Sequence, residues 1–206
     1  MLFGTYITSR IDSSTISDKG HSFINVSKRG ATMETISDMI DDFSDTNPAA
    51  SNVEKVILSF GTNDIARERH GVYNPQGLSQ QQLHTRACRG IKKFRQSVAD
   101  IVTKVKSLFP GVSVVIQCVL PMQNIYWYTS FNVLMFNDML REVARSYNCY
   151  YVDCFDRFLS VDMHDFNRGL YYDWLHPNKW GLNLLCKYLK YVTCTNSNMF
   201  ASIIKL

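Results

Sequence analysis

Two short stretches hold the residue types that acyl-transfer chemistry needs. In YYDWLHPNKWGL (171–182), Asp173 and His176 stand three residues apart. That spacing lets a carboxylate reach one ring nitrogen of the imidazole, fix its tautomer and stabilise the imidazolium, which leaves the other nitrogen to act as a general base. In SFGTNDI (59–65), Asn63 follows a strand-like run and Gly61. A carboxamide there, with backbone N–H groups, can hold the oxyanion of acyl transfer. Gly30 follows another strand-like run, and its N–H is a further donor. Each residue alone also fits a plainer role: a helix-capping Asp beside a surface His, an Asn that forms a turn, a Gly in a left-handed turn. Their order, each at a strand end or a helix mouth, argues for one joint site.

The elements that must position these residues alternate strand and helix. Runs at 2–5, 23–26, 56–60, 112–120 and 150–152 read as strands. VILSF (56–60) and VSVVIQCVL (112–120) have the near-continuous apolar character of strands buried on both faces of a parallel sheet. Met33, Ile36, Met39, Ile40 and Phe43 follow a helical period over 32–43, with Thr32 as N-cap and Thr35 where a capping box would want Glu. Further helices are expected over 83–109, ended by Pro110-Gly111, over 131–147 and over 177–192. Loops are expected over 66–82, over 122–129 with the aromatics Tyr126, Trp127 and Tyr128, and over 153–177. Alternation of this kind implies an α/β fold with a parallel sheet between helices, and ligands bind beyond the carboxyl ends of such strands. Gly4-Thr5-Tyr6, Gly30, Gly61-Thr62-Asn63-Asp64 and Pro121-Met122 all fall on that edge, and Asp173 to His176 enter the last helix.

Composition sets the outer bounds. A chain of 206 residues fits one domain, expected over 1–194 with a polar tail at 195–206. Hydrophobic residues at 46% against 19% charged supply a sizeable core. The net charge of +4 is a mild excess, and the basic set Arg86, Arg89, Lys92, Lys93 and Arg95 reads first as a solvated helix face, so a nucleic-acid partner is not indicated through this domain alone. Cys88, Cys118, Cys149, Cys154, Cys186 and Cys194 form no CxxC pair and read as thiols of a reducing compartment, with a Cys149–Cys154 disulfide left open. Neither a signal peptide nor a membrane-spanning run is written in the sequence, so an intracellular, cytoplasmic protein is expected. No cofactor is expected, since GxGxxG and GxxxxGK[ST] do not occur. No metal is expected either, since His164 and His176, near Asp162, Asp165 and Asp173, lack zinc spacing.

Gly30, the GTND of 61–64 and the DxxH of 173–176 resemble, in order and separation, three of the four blocks of the SGNH hydrolases, the superfamily of GDSL-type esterases and lipases. The resemblance implies a flavodoxin-like, three-layer α/β/α fold with a central parallel sheet of about five strands. It implies that Gly30 and Asn63 are oxyanion donors, that Gly61 and Asp64 support the loop presenting the Asn, that His176 is the base and that Asp173 orients it. The substrate class it implies is a small ester, an acylated lipid or an acetylated carbohydrate. More narrowly, VEKVILSFGTNDI and INVSKRGAT resemble SGNH domains of animal transposable-element proteins.

The first block departs from the family. Aligning Gly4-Thr5-Tyr6 with its GDS puts Thr5 at the Asp and Tyr6 at the nucleophilic Ser. A tyrosine oxygen lies several ångströms further out than a serine oxygen, and attack geometry tolerates errors of ~1 Å badly. Four outcomes stay open: loss of the nucleophile, a tyrosine nucleophile, attack by Ser9 one helical turn on, or a water activated directly by His176; Thr5 and Thr8 are weaker candidates. With the nucleophile lost, the fold would serve as a binding module for lipid, carbohydrate, protein or nucleic acid. The aromatics at 126–128 suit a membrane surface, a sugar or a partner.

Overall fold

The computed structural model describes residues 1–17, 22–65, 79–122, 127–162 and 166–194. Four strands form one sheet in chain order: β1 (Leu2–Gly4), β2 (Lys55–Ser59), β3 (Ser113–Gln117) and β4 (Tyr150–Val152), each pairing in parallel with the next. Val56, Ile57 and Leu58 are all fully buried. Successive strand residues face opposite ways, so both faces of β2 are covered.

The helices that cover them are α1 (Tyr6–Ser9), α2 (Ser13–Ile16), α3 (Met33–Thr46), α4 (Gln80–Leu108), α5 (Trp127–Ser146) and α6 (Lys179–Cys194). In α3 the expected stripe is buried at Met33, Ile36, Ile40 and Phe43, and Phe43 meets Phe3 of β1 edge-on at 6.0 Å. Helix α4 packs on α3 and α5, and α2 packs on α6. The Lys104 ammonium of α4 bonds the Asp41 carboxylate of α3 at 2.6 Å. Arg95, one of the basic set, pairs with Glu142 of α5.

Several expectations need correction. Among the described residues the sheet has four strands: residues 23–26, expected as a strand, contribute only a parallel bridge between Asn25 and Leu2. They run beside the outer edge of β1, which is three residues long, and the Asn25 side chain turns away to donate to the carbonyls of Thr8 and Ile11. Thr32 sits at the N-cap of α3 without a side-chain cap; its hydroxyl lies 3.3 Å from that of Thr35. Helix α4 starts inside the expected 66–82 loop, because Ser79 and Gln82 form a full capping box; residues 66–78 lie outside the described residues. Helix α5 includes Trp127 and Tyr128, which therefore belong to a helix and not to a loop, while Tyr126 lies outside the described residues. Cys149 and Cys154 form no disulfide; the Cys154 sulfur lies 3.6 Å from that of Cys118, both buried. No described helix is long and apolar enough to cross a membrane.

Candidate active site

The DxxH turn is built by its own carboxylate. Asp173 Oδ1 accepts the backbone N–H of Leu175 at 2.8 Å and of His176 at 2.6 Å, which bends the chain back on itself. Asp173 Oδ2 lies 2.7 Å from His176 Nδ1. Burial alone would raise the Asp173 pKa, but the bonds from the His176 ring and from the His176 and Leu175 backbone outweigh it and hold the carboxyl below its ordinary value. An ionised carboxylate at Nδ1 fixes a proton there and leaves Nε2 as the basic nitrogen. Both side chains are partly buried, at 26% and 32% exposure, so solvent still reaches the pair.

Two anchors hold this turn against the sheet. Buried Tyr171 donates its hydroxyl to the Pro121 carbonyl beyond β3 at 2.7 Å. Asn178 accepts the N–H groups of Trp180 and Gly181 at the start of α6 and donates back to the Gly169 and Tyr171 carbonyls. The Asn after Pro177 is a helix-start signal that the sequence carried. The reach of Tyr171 had no local signal.

The second and third blocks meet directly. Asn63 Nδ2 donates one hydrogen to the Ala31 carbonyl at 2.8 Å, which orients the carboxamide and leaves its second N–H for another acceptor. Asp64 Oδ1 accepts the Met33 N–H at 3.1 Å, doing at the start of α3 what the Thr32 hydroxyl was expected to do. This bond ties GTND to the turn after Gly30. Gly61 has φ +100° and no room for a side chain: a Cβ would lie 2.5 Å from Phe136 Cε1 and 2.8 Å from Val119 Cγ2. Gly30 has φ +74° with open space beside it.

The first block reaches the others through α1. The Lys28 N–H donates to the Gly4 carbonyl at 3.0 Å, which joins blocks one and two. Arg10, which closes α1, donates to the Pro177 carbonyl at 3.3 Å, which joins blocks one and four. Tyr6 opens α1, and its side chain lies outside the described residues. Thr5 and Thr8 are buried, and the Thr8 hydroxyl is spent on the Thr5 carbonyl at 3.0 Å. Ser9 is exposed at the end of α1. His164 and Asp165 lie outside the described residues, and among those described no group of three His, Cys, Asp or Glu side chains is placed to hold a metal.

Comparisons with known proteins converge on this architecture. Residues 3–183 match the model of the GDSL-like Lipase/Acylhydrolase family. Among solved structures, a GDSL-like lipase from Bacteroides thetaiotaomicron is 18% identical, with 93% of this chain and 85% of that one aligned at a TM-score of 0.68. A member of the lipolytic protein G-D-S-L family from Veillonella parvula is 17% identical over 94% and 97% of the two chains, TM-score 0.69. A catalytic mutant of an acetylxylan esterase from Geobacillus stearothermophilus is 14% identical over 95% and 93%, TM-score 0.64. A search of curated proteins finds no match. At these identities the structures share the fold, an α/β fold with a parallel sheet flanked by helices. The family model spans most of the chain, and the chain belongs to the GDSL-like lipase/acylhydrolase family.

Proposed function

We propose that this domain, residues 1–194, is a carboxylic-ester hydrolase of acetyl or short acyl esters that has kept its acid–base and oxyanion groups and lost its serine. The observation that carries the reading is the 2.7 Å contact of His176 Nδ1 with Asp173 Oδ2. Its support is the Asn63–Ala31 bond, which holds a carboxamide next to the turn that contains the Gly30 N–H. With Tyr6 at the serine position, the nucleophile is water. His176 Nε2 takes a proton from water as the water oxygen bonds to the ester carbonyl carbon. The carbonyl oxygen gains the negative charge and accepts from Asn63 Nδ2 and the Gly30 N–H. The intermediate then expels the alcohol oxygen, which takes the proton from His176. Carboxylic acid and alcohol leave, and the imidazole is neutral again.

The rate expected is low. Sites that lose one triad member keep roughly 10³–10⁴-fold over water. With p-nitrophenyl acetate, the wild-type chain is expected to exceed His176→Ala measurably; equal rates would refute the reading. The acetylated-carbohydrate substrate class is supported by the likeness to acetylxylan esterases.

A second reading, a binding module without turnover, is favoured by the first block, where Tyr6 replaces the serine and the Thr8 hydroxyl is already spent. Binding of acetylated oligosaccharide or of vesicles, unaltered by His176→Ala, would mark it. The narrower resemblance to transposable-element domains has no counterpart among the relatives named above.

A further inference from the structure

Around the DxxH turn lies a stack of side chains that the acid–base chemistry above does not use. Asp173, Trp174 and Leu175 turn the chain. On either side of them, the Tyr172 N–H donates to the His176 carbonyl at 3.1 Å, and Tyr171 bridges Pro177 in antiparallel register. Residues opposed in such a ladder are side-chain neighbours. Accordingly, the Tyr172 and His176 rings stack with centroids 5.7 Å apart and planes 14° apart. Arg10 joins them: its Cζ lies 5.3 Å from the centre of the Tyr172 ring, and its Nη1 donates to the carbonyl of Pro177, the residue after His176. Arg10 caps the C-terminus of α1, the helix that Tyr6 opens. One guanidinium therefore spans from the nucleophile block to the turn that holds the base.

The geometry points to Arg10 and Tyr172 as positioning residues for His176, a clamp that sets the plane of the imidazole and holds its turn against α1. The catalytic part of this inference rests on the acid–base role proposed for His176. The hydrogen bond at Nδ1 fixes one atom of the imidazole, and a ring stacked on its face restrains the plane as well. Core burial does not account for the arrangement, since Tyr172 is 56% exposed. The face of a tyrosine also favours a cation. That attraction tethers Arg10 to the ring, and it serves an imidazolium once His176 has taken a proton.

The test uses the full chain, labelled with ¹⁵N. Long-range ¹H–¹⁵N spectra read the His176 tautomer, and its ring-proton shifts read the stack. Tyr172→Ala is expected to move those protons downfield and to mix the tautomers. Tyr172→Phe should preserve both signals, Arg10→Ala should perturb them, and Arg10→Lys should restore them in part. His176 signals unchanged in Tyr172→Ala would overturn the clamp. In a Tyr6→Ser background, Tyr172→Ala should lower kcat for p-nitrophenyl acetate by about 10- to 100-fold, with KM within about twofold and with rescue by Phe; an unchanged kcat would also overturn it. If Tyr6→Ser shows no turnover at all, the hydrolase reading falls, and the spectra alone decide whether the clamp holds the imidazole.

Discussion

Replacing Gly61 with Ala should destabilise the protein more than the loss of any single surface contact. Two costs add. The backbone at φ +100° lies where a side chain is strained, worth about 1–2 kcal/mol. The new Cβ would meet Phe136 Cε1 at 2.5 Å, Phe136 Cζ at 2.8 Å and Val119 Cγ2 at 2.8 Å. Phe136 and Val119 are buried at 0% and 2% exposure, so neither can swing into solvent to relieve the clash. Overpacking of this kind costs about 1–3 kcal/mol, which brings the sum to about 2–5 kcal/mol. With a urea m-value of about 2–3 kcal/mol per molar, the unfolding midpoint should fall by about 0.7–2.5 M. Gly30→Ala is the control. It carries a similar backbone strain at φ +74° but meets nothing within 4 Å, so about 1–2 kcal/mol is expected from strain alone. A Gly61→Ala midpoint no lower than that of Gly30→Ala would refute the packing argument for this turn.

Other outcomes follow from the same contacts. The folded-state pKa of Asp173 is depressed, so its contribution to stability is present above its unfolded pKa of about 3.9 and is lost as pH falls through the folded value. Asp173→Asn should flatten the acid limb of thermal stability against pH, and in a Tyr6→Ser background it should cut kcat by about 10²–10⁴-fold. Tyr171→Phe leaves the Pro121 carbonyl without its donor and should cost about 1–3 kcal/mol in chemical denaturation. Among Cys88, Cys118, Cys149 and Cys154, thiol labelling of the native protein should modify exposed Cys88 first. The Cys149 thiol, pushed up to about 11 by burial, should lag behind it, and Cys118 and Cys154 should react only on unfolding.

Much of this architecture was legible in the sequence because it is written in local patterns. The runs at 56–60 and 112–120 gave two central strands, and the apolar stripe at Met33, Ile36, Ile40 and Phe43 gave the buried face of α3. The pairing of Asp173 with His176 followed from a three-residue spacing. What escaped depends on contacts between distant segments. The edge run at 23–26 looks like a strand in composition, but only tertiary context shows that its Asn25 side chain serves the carbonyls of Thr8 and Ile11 and that one bridge is all it forms. Asp64 capping α3 across 31 residues, and Arg10 reaching Pro177 across 167, have no signature in either segment. The start of α4 was legible, since Ser79 and Gln82 have capping-box spacing, but Pro75 and Gly77 made the whole stretch read as loop.

The claim that this is an acyl-transfer site missing only its nucleophile is tested most directly by Tyr6→Ser with p-nitrophenyl acetate. The expected result is a burst of nitrophenol, a protein heavier by one acetyl group at position 6, and turnover that His176→Ala abolishes. A Tyr6→Ser protein with neither burst nor adduct, and with a rate equal to that of the parent chain, would contradict it.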